Sequence, residues 1–170
     1  SWRERFGIKA RDLAAPLEGL VASVWEHRRS LVHGDFSPKN LLVWPAGLML
    51  IDCEVGHYGD PAFDLAFVLN HLLLKGVWKP AHRAHYLAAY ATLARAYLAH
   101  VGWEPAPAMA ARTAALLPGL LLARIDGKSP VEYLTADADR QRVRAVARRL
   151  LADPAGDLGA LLARWTEEDR

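Results

Sequence analysis

A chain of 170 residues, 52% of them apolar, suits one domain with a sizeable core or one lobe of something larger. Its net charge of +2 argues against a nucleic-acid-binding footprint, and its one cysteine, Cys53, excludes an intrachain disulfide and fits a reducing compartment. The opening SWRERFGIKARDL is charged where a signal peptide needs an apolar core, and the run LAFVLNHLLL is too short to cross a bilayer, so we expect a cytoplasmic protein that binds neither membrane nor nucleic acid.

Residues 12–29 predict an amphipathic helix, because Leu13, Leu17, Leu20 and Val24 recur at helical spacing while Val21 and Trp25 widen the stripe. Residues 1–30 thus form a leading helical segment. The period changes over residues 31–60, where LLVW, the turn PAG and LMLI read as a β-hairpin with a three-residue connection. From Pro61 onward the pattern is helical. Asp60 is a good N-cap and Pro61 suits the first helical position, so DPAFDLAFVLNHLLLKG predicts a buried central helix ended by Gly76. A second helix is expected over residues 81–100, with Tyr86, Tyr90, Leu93 and Tyr97 on one side. A third covers residues 107–124, bent at Pro118. After the loop IDGKSP come a fourth helix over 138–151 and a short fifth bearing Leu158, Leu161, Leu162 and Trp165. The fold class is α+β and mostly α-helical, with residues 1–170 as one unit.

The stretch HGDFSPKN puts Asp35 and Asn40 five residues apart in a loop just ahead of the hairpin, and IDCE follows it. Residues two apart on an extended segment point the same way, so Asp52 and Glu54 are expected to share a face. The hairpin then brings Asn40 beside Asp52, and Asp35, Asn40, Asp52 and Glu54 converge. Two carboxylates about 4 Å apart repel by roughly 4 kcal/mol at an effective dielectric of about 20, so the group calls for a cation. Oxygen-only ligands favour Mg²⁺, which leaves room for substrate phosphates.

HGDFSPKN, IDCE and GDPAFDLA together resemble the catalytic core of the aminoglycoside phosphotransferase and choline kinase group, relatives of the protein kinases. The D-x-E form of Asp52 and Glu54 is similar to the small-molecule kinases rather than the protein kinases, which have Phe and Gly after the metal aspartate. The resemblance implies a kinase-like C-terminal lobe that moves the γ-phosphoryl group of ATP to a hydroxyl of a small molecule. It implies that Asp35 orients that hydroxyl and takes its proton, and that Asn40 and Asp52 hold Mg²⁺, with Glu54 a second-metal or outer ligand. It also implies that Leu42 and Ile51 line the adenine floor and that Asp64 braces the catalytic loop by accepting backbone N–H bonds. His33 would be the structural histidine of that loop, and Ser37 stands where protein kinases place a phosphate-contacting lysine.

The group normally carries an N-terminal β-sheet lobe with a phosphate-covering loop and a lysine, and nothing in this sequence matches it. We therefore expect a C-terminal lobe that binds Mg-ATP weakly alone and needs the missing lobe in cis or from another chain. An apolar patch near the hairpin, with self-association, should follow.

Plainer readings stand beside these. HGDFSPKN could be a polar turn, Asp60 only a helix cap, Asp64 structural, and Cys53 a small core residue. Leu50 and Ile51 suggest burial of Asp52 and Glu54, whereas Lys39 should face solvent. His82 and His85 lie one helical turn apart without a third ligand and read as surface groups. RQRVRAVARRL reads as a solvated arginine face over Val143, Val146, Ala147 and Leu150. RIDGKSPVEYL either reaches substrate or ties helices together. Trp78, Tyr86, Tyr133 and Trp165 are acceptor-pocket candidates, each also a core candidate. The arginine-rich helical region argues against a polycationic aminoglycoside and leaves choline, methylthioribose or another sugar open. Alternatives to a kinase are a non-catalytic kinase-like binding module and a metal-dependent phosphohydrolase.

Overall fold

The computed structural model describes residues 11–168; the first ten residues, part of the expected leading segment, and the last two lie outside the described residues. A short 3₁₀ turn, Arg11–Leu13, leads into helix α1, Ala14–Glu26. Leu13 and Leu17 are buried, and Leu20, Val21 and Val24 pack partly against the core. The expected stripe is too wide at Trp25, which is 47% exposed and has Arg28 seated 4.7 Å from its ring centre. The helix also stops short of residue 29. The His27 ring and backbone N–H both approach the Ser23 carbonyl, at 2.8 and 3.1 Å, and close the last turn.

Four short strands follow, in two separate antiparallel pairs. Strand β1, Ser30–Val32, pairs with β4, His57–Gly59, in the register Ser30 to Gly59 and Val32 to His57. Strand β2, Leu41–Trp44, pairs with β3, Gly47–Leu50, with Leu41 opposite Leu50 and Trp44 opposite Gly47. The hairpin connection is thus Pro45 and Ala46, two residues rather than three. Gly47 already belongs to the strand, at φ 141°, a conformation that glycine adopts without a Cβ penalty.

Helix α2, Pro61–Trp78, is the central element. Asp60 caps it by accepting the Ala62 N–H at 3.0 Å, and Leu65, Ala66, Leu69, Leu73 and Leu74 are fully enclosed. It runs two residues beyond Gly76. There, a Cβ would sit 3.7 Å from atoms of both Arg83 and Tyr86, an ordinary contact distance, so neither packing nor termination demands glycine at this position. Termination falls to Pro80, whose ring disfavours helical backbone at Lys79 (φ −124°, ψ 72°). A 3₁₀ turn, Pro80–His82, opens into helix α3, Arg83–Leu98; then come α4, Ala106–Asp126, α5, Asp137–Ala152, and α6, Leu158–Glu168. Helix α2 packs on α3 and α4, α4 packs on α5, and α6 closes the other side. Pro118 sits inside α4 without ending it.

By length and mean hydropathy α4 could cross a membrane, a segment longer than the run singled out above; most of it is buried within the core. Arg142 and Arg149 of α5 are exposed as expected, while three other arginines of the helix are partly exposed and also pair. Arg144 pairs with Asp126 at 2.7 Å, Arg140 donates to the Ile125 carbonyl at 2.7 Å, and Arg148 meets Asp12 near the start of α1. They staple α5 to the end of α4 and to the start of the described chain.

Candidate active site

The loop between β1 and β2 is braced from below. Asp64, in the first turn of α2, accepts the backbone N–H groups of His33 and Gly34 at 2.6 and 2.9 Å. Charge-assisted bonds of this length are about twice as strong as neutral ones. His33 is buried and makes two further bonds: its Nε2 donates to the Ile51 carbonyl at 2.9 Å, and its Nδ1 accepts the Asp35 N–H at 3.2 Å. One imidazole tautomer thus links the HGD segment to the end of the hairpin. Gly34 has φ 82°, and a Cβ there would come within 2.9 Å of the Val55 carbonyl oxygen, so both backbone and space require glycine.

Asn40 is buried at the end of a 3₁₀ turn, Pro38–Asn40, and its Nδ2 donates to both the Asp35 carbonyl and Asp35 Oδ2, at 2.9 and 3.1 Å. Lys39, expected in solvent, keeps its chain mostly exposed but places Nζ 2.9 Å from the same oxygen. Among the described residues Asp35 Oδ1 has no partner. The Ile51 N–H donates to the Asn40 carbonyl at 3.0 Å, which extends the hairpin by one pair and brings Asp52 just beyond Asn40.

Asp35, Asp52 and Glu54 line one open cleft of about 360 Å³, together with Lys39, Phe67 and Arg124. The backbone around IDCE is not the extended segment assumed above. Asp52 takes a left-handed conformation, φ 66°, and the chain then turns, closed by the Gly56 N–H on the Cys53 carbonyl at 3.0 Å. Asp52, Cys53 and Glu54 are all exposed, so neither the burial suggested by Leu50 and Ile51 nor a core position for Cys53 holds. Among the described residues no three acidic, histidine or cysteine side chains approach closely enough to enclose an ion by themselves.

Ser37 is 1% exposed, its Oγ lacks a partner among the described residues, and it is not part of the cleft wall. Leu42 and Ile51 lie on the same side of the hairpin, since the pairs Leu42–Met49 and Asn40–Ile51 share parity. His82 and His85 are exposed with ring centres 6.2 Å apart. Of the aromatic candidates, Trp165 is core, whereas Trp78 stacks on Tyr133 at 5.0 Å beside Lys75 and Lys79.

Phe67 and the pairing of Asp60 escaped the sequence reading, whereas the segment with Arg124 was read as either reaching substrate or tying helices. Phe67 follows Asp64 by three residues on α2, a spacing that puts both on one face, and it floors the cleft. Arg124 lies over the Phe67 ring at 5.3 Å and donates to the Ser129 carbonyl at 2.9 Å, so RIDGKSP both ties the loop and faces the cleft. Asp60 is more than a cap. Arg112 grips both its oxygens at 3.1 Å and Glu104 at 2.6 Å, all nearly buried, and the pairing holds the Glu104 carboxyl below the usual carboxylate range. Behind the cleft, burial and then the charge of Arg124 lower the His71 imidazole to about 4.

The model of the phosphotransferase enzyme family matches residues 2–107, which takes in the braced loop, the hairpin, the IDCE turn, α2 and α3. Methylthioribose kinase of Erwinia tasmaniensis is 32% identical over 63 residues, 37% of this chain and 16% of that relative. The matched stretch is thus a small part of the relative's length. The family match covers well over half of the sequence, and the chain belongs to the phosphotransferase enzyme family.

Proposed function

We propose that this chain is the C-terminal, kinase-like part of an ATP-dependent enzyme that phosphorylates a hydroxyl of a small molecule. The observation that carries the reading is the braced HGD loop, which presents Asp35 to a cleft it shares with Asp52 and Glu54. Asp35 is the general base. Asn40 and Lys39 occupy its Oδ2, which leaves Oδ1 to take the proton of the acceptor hydroxyl. As that proton leaves, the acceptor oxygen bonds to the γ-phosphorus, the bond to the β-phosphate oxygen breaks, and ADP departs.

The donor set suits magnesium. It is oxygen-only, exposed on one side and incomplete without outside ligands, as expected for an ion that keeps waters and takes substrate phosphates. When bound, magnesium supplies charge neutralisation for the transferring group. Asp52 and Asn40 would hold it, with Glu54 at a second or outer position, and the pinning of Asn40 Nδ2 on Asp35 orients its oxygen for that task.

Leu42 and Ile51 would floor the adenine. The remaining exposed apolar groups of the strand region, among them Leu31 (80% exposed), Val43 and Tyr58, would be covered by an N-terminal lobe in cis or trans. Such an enzyme belongs in the cytoplasm, where ATP is supplied and the exposed Cys53 stays reduced.

The test is Asp35→Ala in the full-length protein. Removal of a general base should lower kcat by ~10²–10⁴ with the fold intact by circular dichroism. Activity near wild type would remove Asp35 from the chemistry.

A further inference from the structure

The cleft that holds Asp35 continues into a second one. Phe67, Arg124 and Ser129 line both, and the second, of about 380 Å³, lies between α1, α2 and α4. That volume suits a small molecule. Its walls are apolar: Val24, Phe63, Leu116 and Leu120 face it. Its charges are one-sided. Asp60 is the acidic residue on its wall, and both Asp60 oxygens are committed to Arg112 while Oδ1 also caps α2. Lys128, on the rim, is exposed and makes no ion pair among the described residues; Arg124 stands at the junction with Asp35. An ammonium would find no free carboxylate here. One face of the Phe67 ring is already taken by Arg124, at 5.3 Å, so a second cation would meet that guanidinium's charge at the junction.

We infer that the second cleft seats the body of the phosphoryl acceptor, and that this acceptor is a small alcohol with an apolar body and a carboxylate end. The inference rests on the kinase reading for the word acceptor, not for the ligand class. A carboxylate matches one exposed ammonium and one guanidinium with a hydrogen bond already committed to Ser129, a site for a single negative charge. The hydroxyl end then reaches across Phe67 toward Asp35.

The test uses three probes with one body: para-(hydroxymethyl)benzoate, para-(hydroxymethyl)benzamide and para-(hydroxymethyl)benzylamine, titrated into this chain and followed by NMR without nucleotide. We expect the benzoate to bind about tenfold more tightly than the benzylamine, the size of one charge-assisted bond. Lys128→Glu, a change at an exposed site, should erase that preference and leave the benzamide unaffected. Equal or tighter binding of the benzylamine, no binding of the benzoate, or a preference that survives Lys128→Glu would each overturn the proposed ligand class. The kinase reading fails separately. Phosphoryl transfer to cationic alcohols by the full-length enzyme would keep that reading and sink this one, whereas benzoate binding without transfer in any condition would do the reverse.

Discussion

His71 shows how the site constrains a residue that never touches the cleft. It is buried on α2, its Nδ1 lies 3.3 Å from the Tyr133 hydroxyl, and its Nε2 has no partner among the described residues. Burial, then Arg124, holds it at about 4 against an ordinary 6.5, with Asp35 pulling weakly the other way. Above the ordinary value both folded and unfolded chains keep it neutral. As pH falls below that value, the unfolded chain takes a proton that the folded chain refuses, so stability drops through the window down to about 4. The loss should be about 2 kcal/mol between about pH 7 and about pH 5. Urea unfolding at both values checks it, and His71→Phe should flatten the dependence; an unchanged slope in that variant would remove His71 as the cause. Asp64 makes the complementary point. Its two short bonds to backbone N–H groups fix the loop that carries Asp35, so a carboxylate outside the cleft still sets where Asp35 stands.

At the scale of elements, the strongest tie unforeseen from sequence is the Asp60–Arg112–Glu104 group. It joins the start of α2 to α4 and to the segment before α4, with all three side chains nearly out of water. Arg112→Met strands two buried carboxylates and should cost about 3–5 kcal/mol of unfolding free energy in urea titration. A loss under about 1 kcal/mol would mean that water reaches and relieves them.

Much of the element order was legible, because α2 announces itself through Asp60, Pro61 and an unbroken apolar run, and α5 and α6 through clean stripes. What escaped has physical reasons. The strands β1 and β4 are three residues each, too short to show alternation, and their pairing joins segments far apart in sequence. The left-handed Asp52 cannot be read from IDCE, since nothing local demands it. Arg112 looks like an ordinary helical arginine until the fold brings Asp60 to it, and the seat of Arg124 over Phe67 is likewise made only by the fold. That Asp35, Asp52 and Glu54 line one cleft was legible from their spacing across a hairpin, whereas Asn40 is buried and touches Asp35 rather than the cleft wall. That Asp52 and Glu54 stay exposed was not legible.

For the whole molecule, the imbalance is between a well-filled helical body and a bare strand region. Val43 and Leu48, paired across the hairpin, are 76% and 72% exposed. The chain should self-associate through this face as concentration rises, and Val43→Lys with Leu48→Glu, an opposite-charge cross-strand pair, should suppress the association. Sedimentation velocity reads the outcome: a wild-type chain that stays monomeric at high concentration would contradict it.

Asp52 and its neighbours are proposed to hold a divalent ion against nucleotide phosphates, and phosphoryl transfer stands or falls with that site. Water-proton relaxation during titration of manganese and ATP, compared between the wild-type chain and Asp52→Asn, addresses that directly. We predict a relaxation enhancement specific to the ternary mixture that weakens about tenfold or more in the variant, since loss of a ligand should cost no less than loss of a supporting residue. Equal enhancement in both proteins would contradict the metal site, and with it the phosphoryl-transfer reading.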